Sequence, residues 1–148
     1  WPSPTHGVEG MPSKTRLRDV VRSLAPEDGR FYFSQRAVEG VKRAKNNMKR
    51  ALAQNLDGQC LTITSHLAKV SLNSRDPVLL VDPNKELYRR FSPQEAAAIQ
   101  SFPDNFEWPV GEKDQYRQIG NAIPPVMMWH VAGALLDSMM AIELKKVA

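Results

Sequence analysis

The chain has 148 residues, of which 42% are hydrophobic and 24% charged, and a single cysteine, which fits a reducing compartment. This length allows one domain, or a small domain with an extension. The sequence contains no signal peptide, repeat or low-complexity tract, and His130 and Asp137 interrupt its longest apolar stretch, so we expect no membrane span.

The net charge of +4 is unevenly distributed. Residues 1–60 hold eleven Lys or Arg against six Asp or Glu, whereas the remainder holds nine against ten. Between residues 36 and 50 the basic side chains are opposed only by Glu39. They are Arg36, Lys42, Arg43, Lys45, Lys49 and Arg50. This pattern suits the backbone of a polyanion, but a charge run alone is more often a solvated helix face.

Helical patterns dominate the first third of the chain. Apolar residues at positions 17, 20, 21 and 24 predict a short amphipathic helix over residues 17–24. Residues 26–29 read as a turn and residues 31–33 as a short apolar run. Ser34 is the predicted N-cap of a helix that reaches about residue 53.

Two strand-like runs follow, over residues 60–65 and 78–82, separated by an irregular polar loop. Loops held by a scaffold often carry recognition side chains. In this loop the donors include Ser65, His66, Lys69, Ser71, Asn73 and Arg75. Cys60 lies in the first run, where a buried and unreactive thiol is the stronger interpretation.

A well-capped helix is predicted next. Residues 90–104 read RFSPQEAAAIQSFPD, in which Ser92 and Glu95 form a capping box and Pro93 takes the first helical position. The alanines that follow favour a helix, which residues 102–104 should end.

The last segment begins with residues 116–125, YRQIGNAIPP. Gly120 and Asn121 tolerate positive φ, so we expect a tight turn that leads into a helix from Pro125 to about Lys146. That helix is apolar on nearly all sides and needs other surfaces to cover it.

The strings over residues 90–104 and 116–125, in this order, resemble the last two of the ten ordered motifs of the DNA cytosine-5 methyltransferases. Residues 1–7, WPSPTHG, are similar to the segment that follows the family's eighth motif. The resemblance therefore covers essentially the whole chain. It implies an α+β fold, in which a small mixed target-recognition domain (residues 1–83) precedes helices (residues 84–148) that complete the Rossmann-like α/β catalytic domain of a partner segment.

The resemblance also implies site residues. Gly120, Asn121 and Ala122 would contact the cofactor, S-adenosylmethionine, which a catalytic lobe would otherwise hold. Thr62 and Ile63 match the pair that the family places near the flipped cytosine. Duplex DNA would be contacted through these two residues and through the loop and basic helix. The predicted contacts there are Ser65, Lys69, Asn73, Arg75, Lys42, Arg43, Lys45 and Lys49.

The motifs that carry the family's bond-making chemistry are missing from this sequence. It has no F-x-G-x-G loop, no Pro-Cys nucleophile and no Glu-Asn-Val acid, and residues 14–18, KTRLR, lack the leading Gln of the Gln-x-Arg-x-Arg strand. We therefore expect no activity from this chain alone. The resemblance is to the C-terminal part of such an enzyme, so we expect a natural small subunit of a split enzyme, a proteolytic piece or an expressed fragment. The initial Trp favours the removal or omission of preceding residues, with Met11 as an alternative start.

The resemblance implies a cytoplasmic, nucleoid-associated bacterial protein of a restriction-modification system. Its partners would be double-stranded DNA and a companion catalytic lobe, or a second copy of the chain if that lobe is absent. Two alternatives remain open at this point. The chain could be a non-enzymatic nucleic-acid-binding module that uses the basic helix, or a structural assembly subunit that docks through its terminal helix.

Overall fold

A computed structural model describes residues 16–23, 25, 27–47, 53–69 and 78–147 of the chain. The fold is α+β, with five α-helices and one two-stranded antiparallel sheet in this described part. The chain divides into two compact units, Thr15–Ala122 and a second that contains Ile123–Ala148. Both sides of the predicted boundary at residue 83 lie in the first unit, and the functional division into residues 1–83 and 84–148 stays a prediction.

The first helix is shorter than its apolar pattern predicts. Helix α1 spans Leu17–Val20, and Val21 already has extended backbone angles. The N–H groups of Leu17 and Arg18 donate to the carbonyls of Gly58 and Leu56 at 2.9 and 2.8 Å. The segment that follows α2 therefore supplies the acceptors for the first N–H groups of α1, which a helix cannot satisfy itself.

Helix α2 spans Gln35–Asn47 and begins where the sequence predicts. The Ser34 hydroxyl accepts a hydrogen bond from the Ala37 N–H at 3.4 Å, as an N-cap does. Val38 and Val41 are buried on its inner face. The predicted continuation runs through residues 48–52, which lie outside the described residues, and Ala53 is in a bend rather than a helix.

The sheet is a hairpin of β1, Leu79–Asp82, and β2, Leu87–Arg89. Leu79 lies opposite Arg89, and the register shifts between Leu80 and Asp82. The Asp82 carboxylate accepts the Asn84 N–H at 2.9 Å, which stabilises the connecting turn. The predicted strand over residues 78–82 is confirmed.

The strand predicted over residues 60–65 is wrong. These residues adopt neither helix nor strand before a turn that begins at Ser65. The N–H of Leu61 donates to the side-chain oxygen of Gln54 at 3.2 Å, so a side chain takes the place of a neighbouring strand. Alternation of apolar and polar residues reports burial on one side, and Ile63 is indeed buried, but it does not guarantee a pairing partner.

Helix α3, Pro93–Ile99, has the predicted capping box. The Ser92 hydroxyl accepts the Glu95 N–H at 3.2 Å, and the Glu95 carboxylate accepts the Ser92 N–H at 2.9 Å. The helix ends before the predicted residues 102–104, because Ser101 turns into the left-handed region with φ of 62°.

Helix α4, Glu112–Asn121, packs against α3 around one apolar core. This core joins α1, α3, α4 and the irregular segment before residue 69. Its buried members are Leu17, Ile63, Leu67, Leu79, Phe91, Ala96, Ala97, Tyr116 and Ile119.

The predicted turn at Gly120 and Asn121 is wrong, because both residues are the last of α4. Gly120 is not in the left-handed region of backbone space. The structure does require a glycine at position 120, but because of a close backbone contact described below and not because of a positive φ.

The terminal helix is confirmed as α5, Pro125–Val147. Its large apolar side chains are exposed from the first turn onward. They are Met127, Met128, Trp129, Leu135, Leu136, Met139, Met140 and Ile142. The sequence predicts no membrane span, whereas by length and composition the stretch Glu112–Glu143, which includes α4 and most of α5, is apolar enough to cross a membrane. A single such stretch is weak evidence of a span. The absence of a membrane partner therefore stays a prediction.

Candidate nucleic-acid and cofactor interface

Gly120 brings the end of α4 against the backbone of Thr64 and Ser65. A Cβ atom at this position would lie 2.3 Å from the carbonyl carbon of Thr64 and 2.4 Å from the nitrogen of Ser65. Atoms cannot approach so closely, so only glycine allows these two backbones to touch. The close approach places the predicted cofactor residues beside the predicted DNA residues.

The side chain next to this contact points to solvent. Asn121 is exposed, whereas Ala122 is half-buried and its N–H donates to the Ile119 carbonyl at 3.2 Å. The side chain of Gln100, the residue that follows α3, donates to the same carbonyl at 3.1 Å, which fixes the end of α4 on the core. The exposed amide of Asn121 offers both a donor and an acceptor, and it fits a polar group of a ligand.

The residues after Thr64 form a tight turn, which we call the recognition turn (residues 64–69). The Leu67 N–H donates to the Thr64 carbonyl at 3.3 Å, and the Lys69 N–H donates to the His66 carbonyl at 2.7 Å. Leu67 is fully buried in the core, whereas His66 and Lys69 are exposed. The turn therefore presents two polar side chains from an anchored backbone.

The predicted DNA contacts in this region differ in their exposure. Thr62 is exposed and Ser65 is half-buried beside Gly120. Ile63 is only 5% exposed and belongs to the core, so its side chain is a packing group in this structure. Asn73 and Arg75 lie outside the described residues.

The basic face of α2 is only partly free. Lys42 forms an ion pair with Glu86 in the turn between β1 and β2. The hydrogen bond to Glu86 raises the pKa of the Lys42 ammonium. Arg43 is exposed on the same helix. The side chain of Lys45 and the whole of Lys49 lie outside the described part of the chain.

The buried ion pair between Arg89 and Glu95 was not predicted from the sequence. The Arg89 guanidinium donates to both carboxylate oxygens of Glu95 at 2.8 Å, and both side chains are almost fully buried. Arg89 also donates to the Ser23 carbonyl at 2.5 Å, and the Arg22 N–H donates to Glu95 at 3.2 Å. The only hint of this pair in the sequence is an arginine six residues before the capping-box glutamate. Whether the two side chains meet depends on the path of the chain between β2 and α3, which the sequence does not show.

Cys60 fits the prediction of an unreactive thiol. It is half-buried, and burial raises its pKa to about 12. A thiol with so high a pKa is protonated near neutrality and is a poor nucleophile. Among the described residues, no group of three or more His, Cys, Asp or Glu side chains could hold a metal ion.

Comparison with known proteins gives a consistent result. The model of the C-5 cytosine-specific DNA methylase family matches residues 8–137. Type II methyltransferase M.BsuRI from Bacillus subtilis is 29% identical over 93% of this chain and 34% of its own length. Type II methyltransferase M1.ScrFI from Lactococcus lactis subsp. cremoris is 26% identical over 86% of this chain and 33% of its own length.

A shorter match has higher identity. Type II methyltransferase M.AplI from Arthrospira platensis is 39% identical over 52% of this chain and 21% of its own length. The chain thus spans about a third, or less, of the length of these relatives. No solved structure matches the chain.

Proposed function

The chain belongs to the C-5 cytosine-specific DNA methylase family, and on that premise we propose that it forms the DNA-recognition and cofactor-pocket-completing part of a DNA cytosine-5 methyltransferase. The observation that carries this proposal is the contact of Gly120 with Thr64 and Ser65. It places Asn121, the predicted cofactor residue, next to the recognition turn. One surface of this chain can therefore meet a cofactor and a DNA duplex together.

The proposal assigns bond making to a companion catalytic lobe. The sequence has no Pro-Cys nucleophile and no Gly-rich cofactor loop, and Cys60 is held in its protonated form by burial. When S-adenosylmethionine is bound, its methyl sulfonium supplies the group that is transferred to C5 of the cytosine. Asn121, with the backbone of Gly120 and Ala122, would hold one side of that cofactor.

This chain's own contribution is positioning. A cytosine inside a duplex hides its C5 atom, so the base must leave the stack at a cost of a few kcal/mol. Exposed Thr62, His66 and Lys69 lie where they can hold the surrounding DNA, with Lys69 suited to a phosphate or a base edge. Correct placement of reacting groups can supply several kcal/mol of a barrier.

Helix α5 supports the proposal of a companion lobe. Trp129, Leu136 and Met140 are each about 60% exposed. Burial of such side chains stabilises a complex by about 1.5–3 kcal/mol each. We propose that α5 completes the Rossmann-like α/β domain of the lobe, and that without it the exposed helix drives self-association. A cytoplasmic, nucleoid-associated location follows from the same proposal.

Kinetics of the assembled enzyme test whether Asn121 contacts S-adenosylmethionine and Lys69 contacts DNA. We expect Asn121→Ala to raise the KM for S-adenosylmethionine with little effect on the KM for DNA, and Lys69→Ala to do the reverse. Lys113→Ala is the matched control, since Lys113 is exposed at the other end of α4. Equal effects of all three substitutions, or none, would contradict the proposal.

A further inference from the structure

Arg90 connects the recognition turn to the helical scaffold. One nitrogen of its guanidinium, Nη1, donates to the Ala68 carbonyl at 2.9 Å. The other terminal nitrogen, Nη2, donates to Glu112 at the start of α4 at 3.0 Å. A single side chain therefore spans from the backbone of the turn to a helix 22 residues away in sequence.

The guanidinium is held in this position from several directions. Its central carbon lies 5.7 Å from the centroids of both the Phe31 and the Tyr116 rings. The Arg90 backbone N–H donates to the Phe31 carbonyl at 2.9 Å. The second oxygen of Glu112 accepts from Arg30 at 2.9 Å, so the carboxylate is itself fixed. Charge, stacking and backbone contacts together leave the side chain little freedom.

The arrangement also has a cost. The Arg90 Nε is buried and has no hydrogen-bond partner among the residues that the structure describes. A buried donor without an acceptor lowers stability, which offsets part of what the other contacts contribute. Arg90 therefore stabilises the fold less than its contacts suggest.

We infer that Arg90 is a positioning residue for DNA recognition, which acts through the recognition turn rather than by touching the nucleic acid. Ala68 lies between the buried Leu67 and the exposed Lys69. When its carbonyl is held, the direction in which Lys69 leaves the turn is held as well. This inference rests on the proposed function, which gives Lys69 a DNA duplex to meet.

Arg90→Lys is the informative substitution, because it keeps the positive charge and the aliphatic stem. A single ammonium replaces the fork that reaches two acceptors, so it cannot hold Ala68 and Glu112 in the same geometry. Arg18→Lys is the matched control. Arg18 also makes a two-bond contact, with Asp57 at 3.0 and 3.3 Å, but its side chain is exposed and no contact joins it to the recognition turn among the described residues.

The first arm measures amide hydrogen exchange in the full chain. We expect Arg90→Lys to speed exchange of the Lys69 amide by about tenfold, while the amide of Gln100, which caps α3, keeps its rate. The Arg18→Lys control should change neither. An unchanged Lys69 amide would overturn the inference whether or not the chain supports methylation.

The second arm uses the assembled methyltransferase. Arg90→Lys should raise the KM for duplex DNA by about tenfold and leave that for S-adenosylmethionine unchanged. Adding Lys69→Ala should then have little further effect, since both changes remove the same contact. Fully additive effects, or a rise confined to the cofactor KM, would overturn the positioning role.

Failure of the proposed function gives a different pattern. If the wild-type assembly transfers no methyl group while the Lys69 amide still responds to Arg90→Lys, the proposed function is wrong. In that case Arg90 is only a structural clamp, and its role in DNA recognition is overturned with it.

Discussion

Gly120 shows how one residue can bring two segments that are distant in sequence into contact. The glycine allows the α4 backbone to touch Thr64 and Ser65, and any side chain would collide with atoms that belong to the backbone rather than to a flexible side chain. The positive φ expected from the sequence plays no part. A sequence shows that a glycine is present but not which neighbour approaches it, and that neighbour is more than fifty residues away.

We predict that Gly120→Ala destabilises the chain by about 1–3 kcal/mol, because the new methyl group forces the two backbones apart. Urea unfolding of the full chain measures the change. Gly133→Ala provides the control, since its Cβ would meet nothing within 4 Å. Alanine in the interior of a helix should there be neutral or stabilising by about 0.5–1 kcal/mol. Equal effects of the two substitutions would refute the close approach.

The buried pair of Arg89 and Glu95 should matter more to stability than an exposed pair. Glu95→Gln leaves the Arg89 charge buried without its partner, and such a loss costs about 3–5 kcal/mol. Asp57→Asn removes an exposed partner of Arg18 and should leave the unfolding midpoint near that of the wild type. Chemical denaturation of both variants measures the difference, and a Glu95→Gln midpoint equal to that of Asp57→Asn would contradict it.

At the scale of elements, local sequence signals predicted where helices begin better than where they end. The caps at Ser34 and Ser92 are confirmed, because an N-cap depends on residues within one turn. α1 ends at Val20, and residues 60–65 form no strand, so the predictions for both segments were wrong. The apolar character of α5 was predicted from its residues alone, and its large side chains are exposed in the structure.

The structure distinguishes two basic residues of α2 that the sequence treats alike. Because Lys42 is paired with Glu86 and Arg43 is exposed, the two should contribute unequally to DNA binding. Arg43→Gln should lower the salt slope of binding by the assembled enzyme by about one. Lys42→Gln should change that slope less, while Glu86→Gln should steepen it by freeing Lys42. A titration of binding against salt concentration measures all three, and equal slopes for Lys42→Gln and Arg43→Gln would contradict this account.

At the scale of the whole molecule, the sequence predicted the family correctly. The assignment of DNA recognition to this chain and of bond making to a companion lobe remains a proposal. Two short strings carried the resemblance, and the family model matches residues 8–137. The candidate site could be predicted only in part. Asn121 and Lys69 are exposed as a contact residue must be, whereas Ile63 is buried and the role of Arg90 depends on contacts between separate elements.

The central claim is that this chain supplies recognition and part of the cofactor pocket to a lobe that makes the bond. The most direct measurement follows transfer of labelled methyl groups from S-adenosylmethionine to duplex DNA by this chain, by a candidate catalytic lobe, and by the two mixed. A fourth sample pairs the lobe with the chain cut after Pro109, which lacks α4 and α5. We predict methylation only in the mixture with the full chain. Transfer by the 148-residue chain alone, or full transfer with the truncated chain, would contradict the account.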